Sequence, residues 1–183
     1  CGIYGITEKN KNLILDIIKK CSHRGPDAQD IYLSENLTLG HNLLSITSKP
    51  NEGTQPWVSE RGNVLIYNGE IFNYNELKYN YKDKFNPRTT CDTELLSWLL
   101  DNFGYENVLS NLIDSMHALV WYNKSENEII LSRDHAGIKP LYFGLVKSGL
   151  IFCSEIKGLL PHINGSNIID RQSLACTSLL GVN

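Results

Sequence analysis

The hydrophobic pattern changes its period near residue 115, and this change limits the fold more than any other feature of the sequence. Four short strand-like runs follow one another, at 117–122, 128–133, 141–146 and 150–154. The connections between them are too short to hold a crossover helix, so neighbouring strands are expected to pair antiparallel. Helical patterns lie on both sides of these runs, without a regular alternation of strand and helix. The sequence therefore predicts an α+β fold with antiparallel sheets.

The remainder of the 183 residues reads as a mixture of short elements. The patterns predict strands at 2–6, 30–33, 37–41 and 64–67, helices at 10–21, 73–81, 92–102, 105–113 and 170–180, and a long loop over 45–56. The length corresponds to one domain. Because no closing element follows the last helix, we expect a domain cut from a longer chain.

Composition and charge exclude several classes of function. There are 17 Lys and Arg against 20 Asp and Glu, a net charge of −3, which argues against a nucleic-acid or anionic-membrane partner. The apolar runs are too short to span a bilayer, and we expect no secretory leader because no charged-then-apolar pattern is visible at the N-terminus. The five cysteines are widely spaced and odd in number, which favours a reduced, cytoplasmic protein over a disulfide framework. The histidine spacings predict no metal site.

One cysteine stands apart, because Cys1 is the first residue. A thiol is a strong nucleophile once ionised. A free α-amine has an unperturbed pKa of about 7.7–8.0, so part of it is neutral near pH 7 and can accept the proton of the thiol. Nucleophile and base would then belong to one residue.

Two further positions each admit a structural and a chemical interpretation. Asn68-Gly69 is a strong signal for a type I′ hairpin turn, but an Asn amide and a Gly N–H can also form an oxyanion hole. Asp92 stands at the start of a predicted helix, as an N-cap or first-turn acid, but it could equally hold a substrate ammonium group.

Taken together, these residues resemble the N-terminal-nucleophile glutamine amidotransferases, and in particular the glutaminase domain of asparagine synthetase. The matching motifs, in chain order, are Cys1-Gly2-Ile3-Tyr4-Gly5, His23-Arg24-Gly25-Pro26-Asp27, Leu44-Ser45-Ile46, Gln55-Pro56, Asn68-Gly69-Glu70-Ile71-Phe72-Asn73, Cys91-Asp92-Thr93-Glu94, Arg133-Asp134-His135-Ala136-Gly137-Ile138-Lys139-Pro140-Leu141-Tyr142 and Ser154-Glu155-Ile156-Lys157. Each motif alone is weak, but their common order makes coincidence implausible.

The resemblance implies a four-layer αββα sandwich in a single amidotransferase domain over 1–183. It implies hydrolysis of glutamine to glutamate and ammonia through a Cys1 thioester, with Cys1 exposed by removal of an initiator Met. The matching oxyanion-hole residues are Asn68 and Gly69, and Glu70 and Asp92 match positions that hold the substrate α-amino group. The family's other substrate-binding positions are occupied by Leu43, Ser45, Ile46 and Thr47.

The resemblance also implies partners beyond this domain. Ammonia would pass through an internal tunnel to an ATP-dependent synthetase domain of the same polypeptide. ATP and Mg²⁺ belong to that domain, so no cofactor is expected in this one. A homodimer is left open. Arg24, Asp27, Arg133 and Asp134 are assigned to structural ion pairs and loop fixing.

One position departs from the family pattern. Leu43 stands where the family has an Arg that pairs with the glutamine α-carboxylate. Three explanations compete: another cation such as Arg88 or Lys49 reaches the site, the amide donor lacks the carboxylate, or the domain is a poor glutaminase. Besides glutamine hydrolysis, the alternatives are therefore an amidohydrolase for a different amide and a weakly active or non-catalytic scaffold of an ammonia-using synthetase.

Overall fold

The computed structural model describes residues 1–45 and 52–163. The strands are β1 Gly2–Ile6, β2 Ala28–Leu33, β3 Thr38–Leu43, β4 Trp57–Val58, β5 Val64–Ile71, β6 Ser115–Asn123, β7 Glu128–Arg133, β8 Tyr142–Val146 and β9 Gly149–Cys153. The helices are α1 Lys11–Lys20, α2 Tyr74–Asn80, α3 Asp92–Phe103, α4 Tyr105–Asn107 and α5 Ile156–Leu159. A 3₁₀ turn at Ser22–Arg24 follows α1, and a π-helical turn at Val108–Leu112 follows α4.

The strands form two antiparallel sheets. The first sheet has the order β2-β3-β1-β9-β8, and the second has the order β4-β5-β6-β7. In the first sheet, β1 lies centrally and pairs Gly2 with Asn42 of β3 and Tyr4 with Cys153 of β9. In the second sheet, β5 and β6 pair along the full length of β5, from Val64 opposite Tyr122 to Ile71 opposite Ser115.

Three apolar cores separate four layers. The core between the sheets contains Ile3, Leu39, Ile66, Val120 and Phe152. The core outside the first sheet contains the apolar face of α1, with Ile14, Ile17 and Ile18. The core outside the second sheet contains the buried leucines of α3 and side chains of β5 and β6. The order helix, sheet, sheet, helix agrees with the predicted αββα sandwich.

The structure differs from the expectations in several places. The four strands after residue 115 do not form one meander, because β7 belongs to the second sheet and β8 to the first. The Asp134–Pro140 loop therefore crosses between the sheets. The short strand β4 has no clear pattern in the sequence, and the helix expected over 105–113 is divided between α4 and the π-helical turn.

A further difference concerns Asn68-Gly69. These residues form no hairpin turn; they continue β5, with Asn68 opposite Ala118 and Gly69 opposite His117. The type I′ interpretation is therefore wrong. Residues 46–51 of the predicted loop and the predicted helix at 170–180 lie outside the described residues.

In the part of the chain that the structure describes, no helix has both the length and the apolar character needed to cross a membrane.

Candidate active site

A cavity of about 360 Å³ opens where β1, β3, β5 and the start of α3 come together. Its volume is within the range of small-molecule sites, which run from about 300 to 1,000 Å³. Six of the predicted site residues line it: Cys1, Leu43, Asn68, Gly69, Glu70 and Asp92. The two sheets thus bring residues distant in sequence to one place.

Ser45 is the only other predicted site residue that the structure describes, and it is not among those that line the cavity. The backbone N–H of Ser45 donates to Asp27 Oδ2 at 2.7 Å, which fixes the chain just after β3. Ile46 and Thr47 lie outside the described residues, as does Lys49.

Cys1 is held from two sides. Its sulfur accepts a hydrogen bond from the backbone N–H of Leu44 at 3.5 Å, and its carbonyl oxygen accepts one from Arg24 Nε at 3.1 Å. Gly2 is required beside it, because a Cβ at that position would collide with the hydroxyl of buried Tyr4. The Cys1 thiol in turn donates to the Leu44 carbonyl oxygen at 3.7 Å, so both backbone groups of Leu44 hold the sulfur in place.

The α-amine of Cys1 has an unusual protonation equilibrium. Partial burial, followed by the positive charges of Arg24 and Lys139, lowers the pKa of this amine from 8.0 to about 6. Both causes disfavour the charged ammonium form. The amine is therefore mostly neutral at pH 7 and can accept a proton.

Asn68 presents an unpaired amide to the same cavity. Its side chain is buried, with 4 % of its surface exposed, and its Nδ2 has no hydrogen-bond partner within residues 1–45 and 52–163. A buried unpaired donor costs free energy, which a ligand oxygen would recover. Gly69 follows it in β5, and a Cβ there would collide with the carbonyl oxygen of Met116.

Asp92 is a first-turn residue of α3 and not its N-cap, which is Cys91. Its Oδ2 accepts hydrogen bonds from the Tyr67 hydroxyl and the Ile71 N–H, both at 3.3 Å. Burial raises the pKa of this carboxyl group, although these donors act in the opposite direction. Its position on the cavity wall makes it available to a ligand cation.

Two contributors to the site carry no role in the sequence prediction. Tyr67 orients Asp92, and Gln55 connects β5 to α3. The Gln55 amide accepts from the Tyr67 N–H at 2.6 Å and donates to the Tyr67 carbonyl at 3.1 Å and to Thr93 Oγ1 at 3.2 Å. The sequence signal for Gln55 was its place in the Gln55-Pro56 motif, which is one of those that match the family. For Tyr67 the sequence gave no signal of a role at the site beyond its place in a buried strand.

The cations are distributed differently from the expectation. Arg24 and Lys139 line the cavity, whereas Arg88 bonds to Glu94 at 3.3 Å and lines a separate depression near Trp57. Arg88 therefore does not replace the family's Arg, whose position is occupied by Leu43. Arg24 pairs with Glu155 at 3.6 Å, so its predicted structural role is accompanied by a place at the site.

The structure confirms that Arg133 and Asp134 fix their loop, but within residues 1–45 and 52–163 neither forms the ion pair that was also expected. Arg133 Nε donates to the Lys139 carbonyl at 2.8 Å, and Asp134 accepts from the N–H groups of His117, Ile138 and Lys139. Across residues 1–45 and 52–163, no group of three or more His, Cys, Asp or Glu side chains is arranged to hold a metal ion.

Comparison with protein-family models decides the family. A model described as "Glutamine amidotransferase domain" matches residues 1–181. The chain belongs to this family.

Similar proteins share the domain but are much longer. Asparagine synthetase B [glutamine-hydrolyzing] of Escherichia coli (strain K12) is 34 % identical over 169 residues, which cover 88 % of this chain and 30 % of the relative. A probable asparagine synthetase [glutamine-hydrolyzing] of Acanthamoeba polyphaga mimivirus is 36 % identical over 172 residues, covering 87 % of this chain and 30 % of the relative. The amidotransferase chain thus spans about a third of these proteins.

Solved structures confirm the fold. A structure titled as the allosteric regulatory enzyme of purine biosynthesis superposes with a TM-score of 0.74 at 20 % identity, covering 86 % of this chain and 42 % of that one. Glutamine phosphoribosylpyrophosphate amidotransferase of B. subtilis gives a TM-score of 0.72 at 21 % identity, with the same coverage. Both superpositions show that the chain shares its fold with these proteins, which agrees with the predicted fold class.

Proposed function

We propose that this domain hydrolyses the side-chain amide of glutamine through a thioester on Cys1. The observation that carries the proposal is a single cavity lined by both Cys1, with its sulfur and low-pKa amine, and the buried, unpartnered amide of Asn68. Nucleophile, base and oxyanion donor are the three groups that acyl transfer from an amide requires.

In the first half of the reaction, the Cys1 amine takes the proton of the thiol and the sulfur attacks the amide carbon. The carbonyl oxygen becomes an oxyanion, which Asn68 Nδ2 and the Gly69 N–H stabilise. The tetrahedral intermediate then collapses: the C–N bond breaks, and the Cys1 ammonium returns its proton to the leaving nitrogen. Ammonia departs and a thioester remains.

In the second half, water replaces ammonia. The neutral amine accepts a proton from a water molecule, whose oxygen attacks the thioester carbon. The same two donors stabilise the second oxyanion. The C–S bond breaks, the thiol recovers its proton, and glutamate leaves. No step consumes an oxidant, a reductant or a cofactor.

The α-amino group of the substrate is assigned to Asp92 and Glu70. Both carboxylates line the cavity, and Asp92 is already oriented by Tyr67 and Ile71. A charge-assisted hydrogen bond to an ammonium group contributes about 1.5–3 kcal/mol. This contact would place the side-chain amide, at the other end of the substrate, beside Cys1.

For the whole protein, we propose that the ammonia is used by an ATP-dependent synthetase domain, as in asparagine synthesis. The support is that the relatives are glutamine-hydrolysing asparagine synthetases, of which this chain covers about a third. ATP and Mg²⁺ would bind in that domain. We place the reaction in the cytoplasm, with glutamine or a related amide as the donor.

The direct test is glutamate release from glutamine by the purified protein, beside a Cys1→Ala variant. Alanine keeps the α-amine and removes only the sulfur. We expect release by the wild type and a loss of at least a thousandfold in the variant. Equal rates for the two proteins would overturn the proposal.

Leu43 supports a second candidate, an amidohydrolase for a donor without an α-carboxylate. This buried leucine gives the cavity wall an apolar surface next to Leu44. If the second candidate holds, a neutral amide outperforms glutamine, and Leu43→Arg lowers the KM for glutamine. An unchanged KM in Leu43→Arg would argue against it, and failure of any amide to react would favour a non-catalytic scaffold.

A further inference from the structure

The cavity carries charges of both signs, and they come from different elements. Asp92 and Glu70 supply the carboxylates, from α3 and β5. Arg24 and Lys139 supply the cations, from the turn after α1 and from the loop between the two sheets. A ligand that satisfies both sets carries an ammonium group and an anionic group.

Arg24 is already engaged by the protein. Its Nε donates to the Cys1 carbonyl at 3.1 Å, and its Nη1 lies 3.6 Å from Glu155 Oε1. Glu155 is shared with His23, whose Nε2 lies 3.4 Å away. Arg24 therefore fixes the backbone of the nucleophile, and its charge is largely compensated.

Lys139 differs from Arg24 in having a fixed backbone and an uncommitted head group. Its N–H donates to Asp134 Oδ2 at 3.0 Å, and its carbonyl accepts from Arg133 Nε at 2.8 Å. No carboxylate within residues 1–45 and 52–163 forms an ion pair with its ammonium group. The cavity therefore contains an unpaired cation on a firmly held loop.

The other basic groups near the cavity do not compete for this role, and His23, which also lines it, already faces Glu155. Burial, with the neighbouring Cys1 amine, lowers the pKa of His41 to about 3, so its ring is neutral at pH 7. The Cys1 amine is itself mostly neutral at that pH. Arg88 bonds to Glu94 away from the cavity.

We propose that Lys139 binds the carboxylate of the amide substrate and so makes this site selective for an amide that bears a free carboxylate. The inference rests on the proposed function and specifies its substrate class. Lys139 and Asp92 then bind the two charged groups of one zwitterionic amino acid, while the apolar wall at Leu43 contacts the substrate without binding charge. A lysine suits this contact because it acts as a point charge and needs no bidentate geometry.

The test compares two substrates that differ only in that carboxylate: glutamine, and its analogue in which the α-carboxylate is a neutral carboxamide. Both are assayed at pH 8, above the pKa of about 6 of the Cys1 amine, so that loss of the Lys139 charge has less effect on the protonation of that amine than it would at a lower pH. The variants are Lys139→Met, which keeps the apolar stem, Lys139→Arg, which restores a cation, and Lys147→Met as a matched control in the turn after β8.

We expect Lys139→Met to raise the KM for glutamine about 10- to 100-fold with little change in kcat, on the scale of a hydrogen bond to a charged group. The carboxamide analogue should react with wild type and Lys139→Met at equal rates. Lys139→Arg should recover most of the glutamine affinity, and Lys147→Met should behave as wild type. Thermal melts establish that the variants fold.

Other outcomes separate the two proposals. If Lys139→Met affects both substrates equally, or neither, the carboxylate role is overturned while glutaminase activity stands. If wild type hydrolyses neither substrate, the proposed function itself fails and the inference falls with it.

Discussion

At Cys1, the surroundings lower the pKa of the α-amine and fix the position of the sulfur. Burial and the charges of Arg24 and Lys139 lower the pKa of the amine, while the Leu44 N–H donates to the sulfur. The amine is thus ready to accept a proton at neutral pH. The sequence predicted this pairing of thiol and amine from Cys1 alone, but the cations that tune the amine come from residues 23 and 138 positions away and could not be inferred from spacing.

The pH dependence of glutamine hydrolysis tests that tuning. The active form of the amine is the neutral one, which is populated above its pKa, so activity should rise with pH to a half-maximum near pH 6 and not near pH 8. The measurement is kcat/KM for glutamine between pH 5 and pH 9.

Burial also raises the pKa of Asp92. Protonation of Asp92 at low pH therefore weakens ammonium binding and adds to the fall of kcat/KM on the acid side of the pH profile. The Asp92→Asn variant removes that contribution and serves as the control. If the half-maximum of kcat/KM lay near pH 8 in both proteins, the pKa of the Cys1 amine would not be lowered.

Substitution of Asn68 should separate activity from stability. Its Nδ2 is buried and unpartnered in the described part of the chain, so Asn68→Ala removes a group that contributes little to folding. We expect kcat to fall about 100- to 1,000-fold, the usual cost of losing one oxyanion donor, with a melting temperature close to that of wild type. A large loss of stability would show that the amide has a structural partner instead.

Among the elements, β5 and α3 matter most to the site because they carry Asn68, Gly69 and Asp92. The sequence predicted both elements, but it ended β5 at residue 67. Asn-Gly favours a turn locally, whereas in the fold the full pairing of β5 with β6 continues the strand through both residues. Long-range pairing therefore overrides the local preference, which is why the extent of β5 could not be obtained from its own residues.

Gln55 should be critical to the junction of these two elements. The change Gln55→Leu leaves the N–H and carbonyl of Tyr67 and the Thr93 hydroxyl without their buried partner. We expect a loss of about 2–4 kcal/mol in the free energy of unfolding and a higher KM for glutamine, because Tyr67 orients Asp92. Urea unfolding measures the first effect. Gln29→Leu, on the exposed face of β2, is the control and should change stability by no more than about 0.5 kcal/mol.

A methyl group at Gly69 should disturb the oxyanion region directly. The new Cβ in Gly69→Ala meets the Met116 carbonyl oxygen and the Tyr67 ring, and the backbone atom cannot move without shifting β6. We expect lower kcat together with lower stability, in contrast to Asn68→Ala. An unchanged kcat would indicate that β5 and β6 can move apart at Gly69 at little cost in free energy.

At the scale of the molecule, the site depends on how the two sheets face each other. Cys1 and Leu43 come from the first sheet, and Asn68, Gly69 and Glu70 come from the second. The layer order could be predicted from the family resemblance and the antiparallel pattern. The crossing of the 134–140 loop between the sheets could not be predicted, because the alternation of residues along a strand shows which of them share a face but not which sheet the strand joins.

The packing between the sheets should therefore control stability and activity together. Ile66 is fully buried in the central core, so Ile66→Ala should cost about 2–5 kcal/mol and lower the activity that remains at elevated temperature. Leu145, which is 75 % exposed on β8, provides the comparison, and Leu145→Ala should change stability by no more than about 0.5 kcal/mol. Equal losses in both variants would contradict the layered core.

The central claim is that the sulfur of Cys1, with its own amine as base, attacks the amide of a glutamine-like substrate. Intact-mass and peptide mass spectrometry after treatment with a diazoketone analogue of glutamine tests it most directly. The account predicts one covalent adduct, on Cys1 and not on Cys91 in the same cavity, formed faster as the pH rises through about 6 and prevented by excess glutamine. A folded protein that stays unlabelled, or that is labelled at Cys91 while Cys1 remains free, would contradict it.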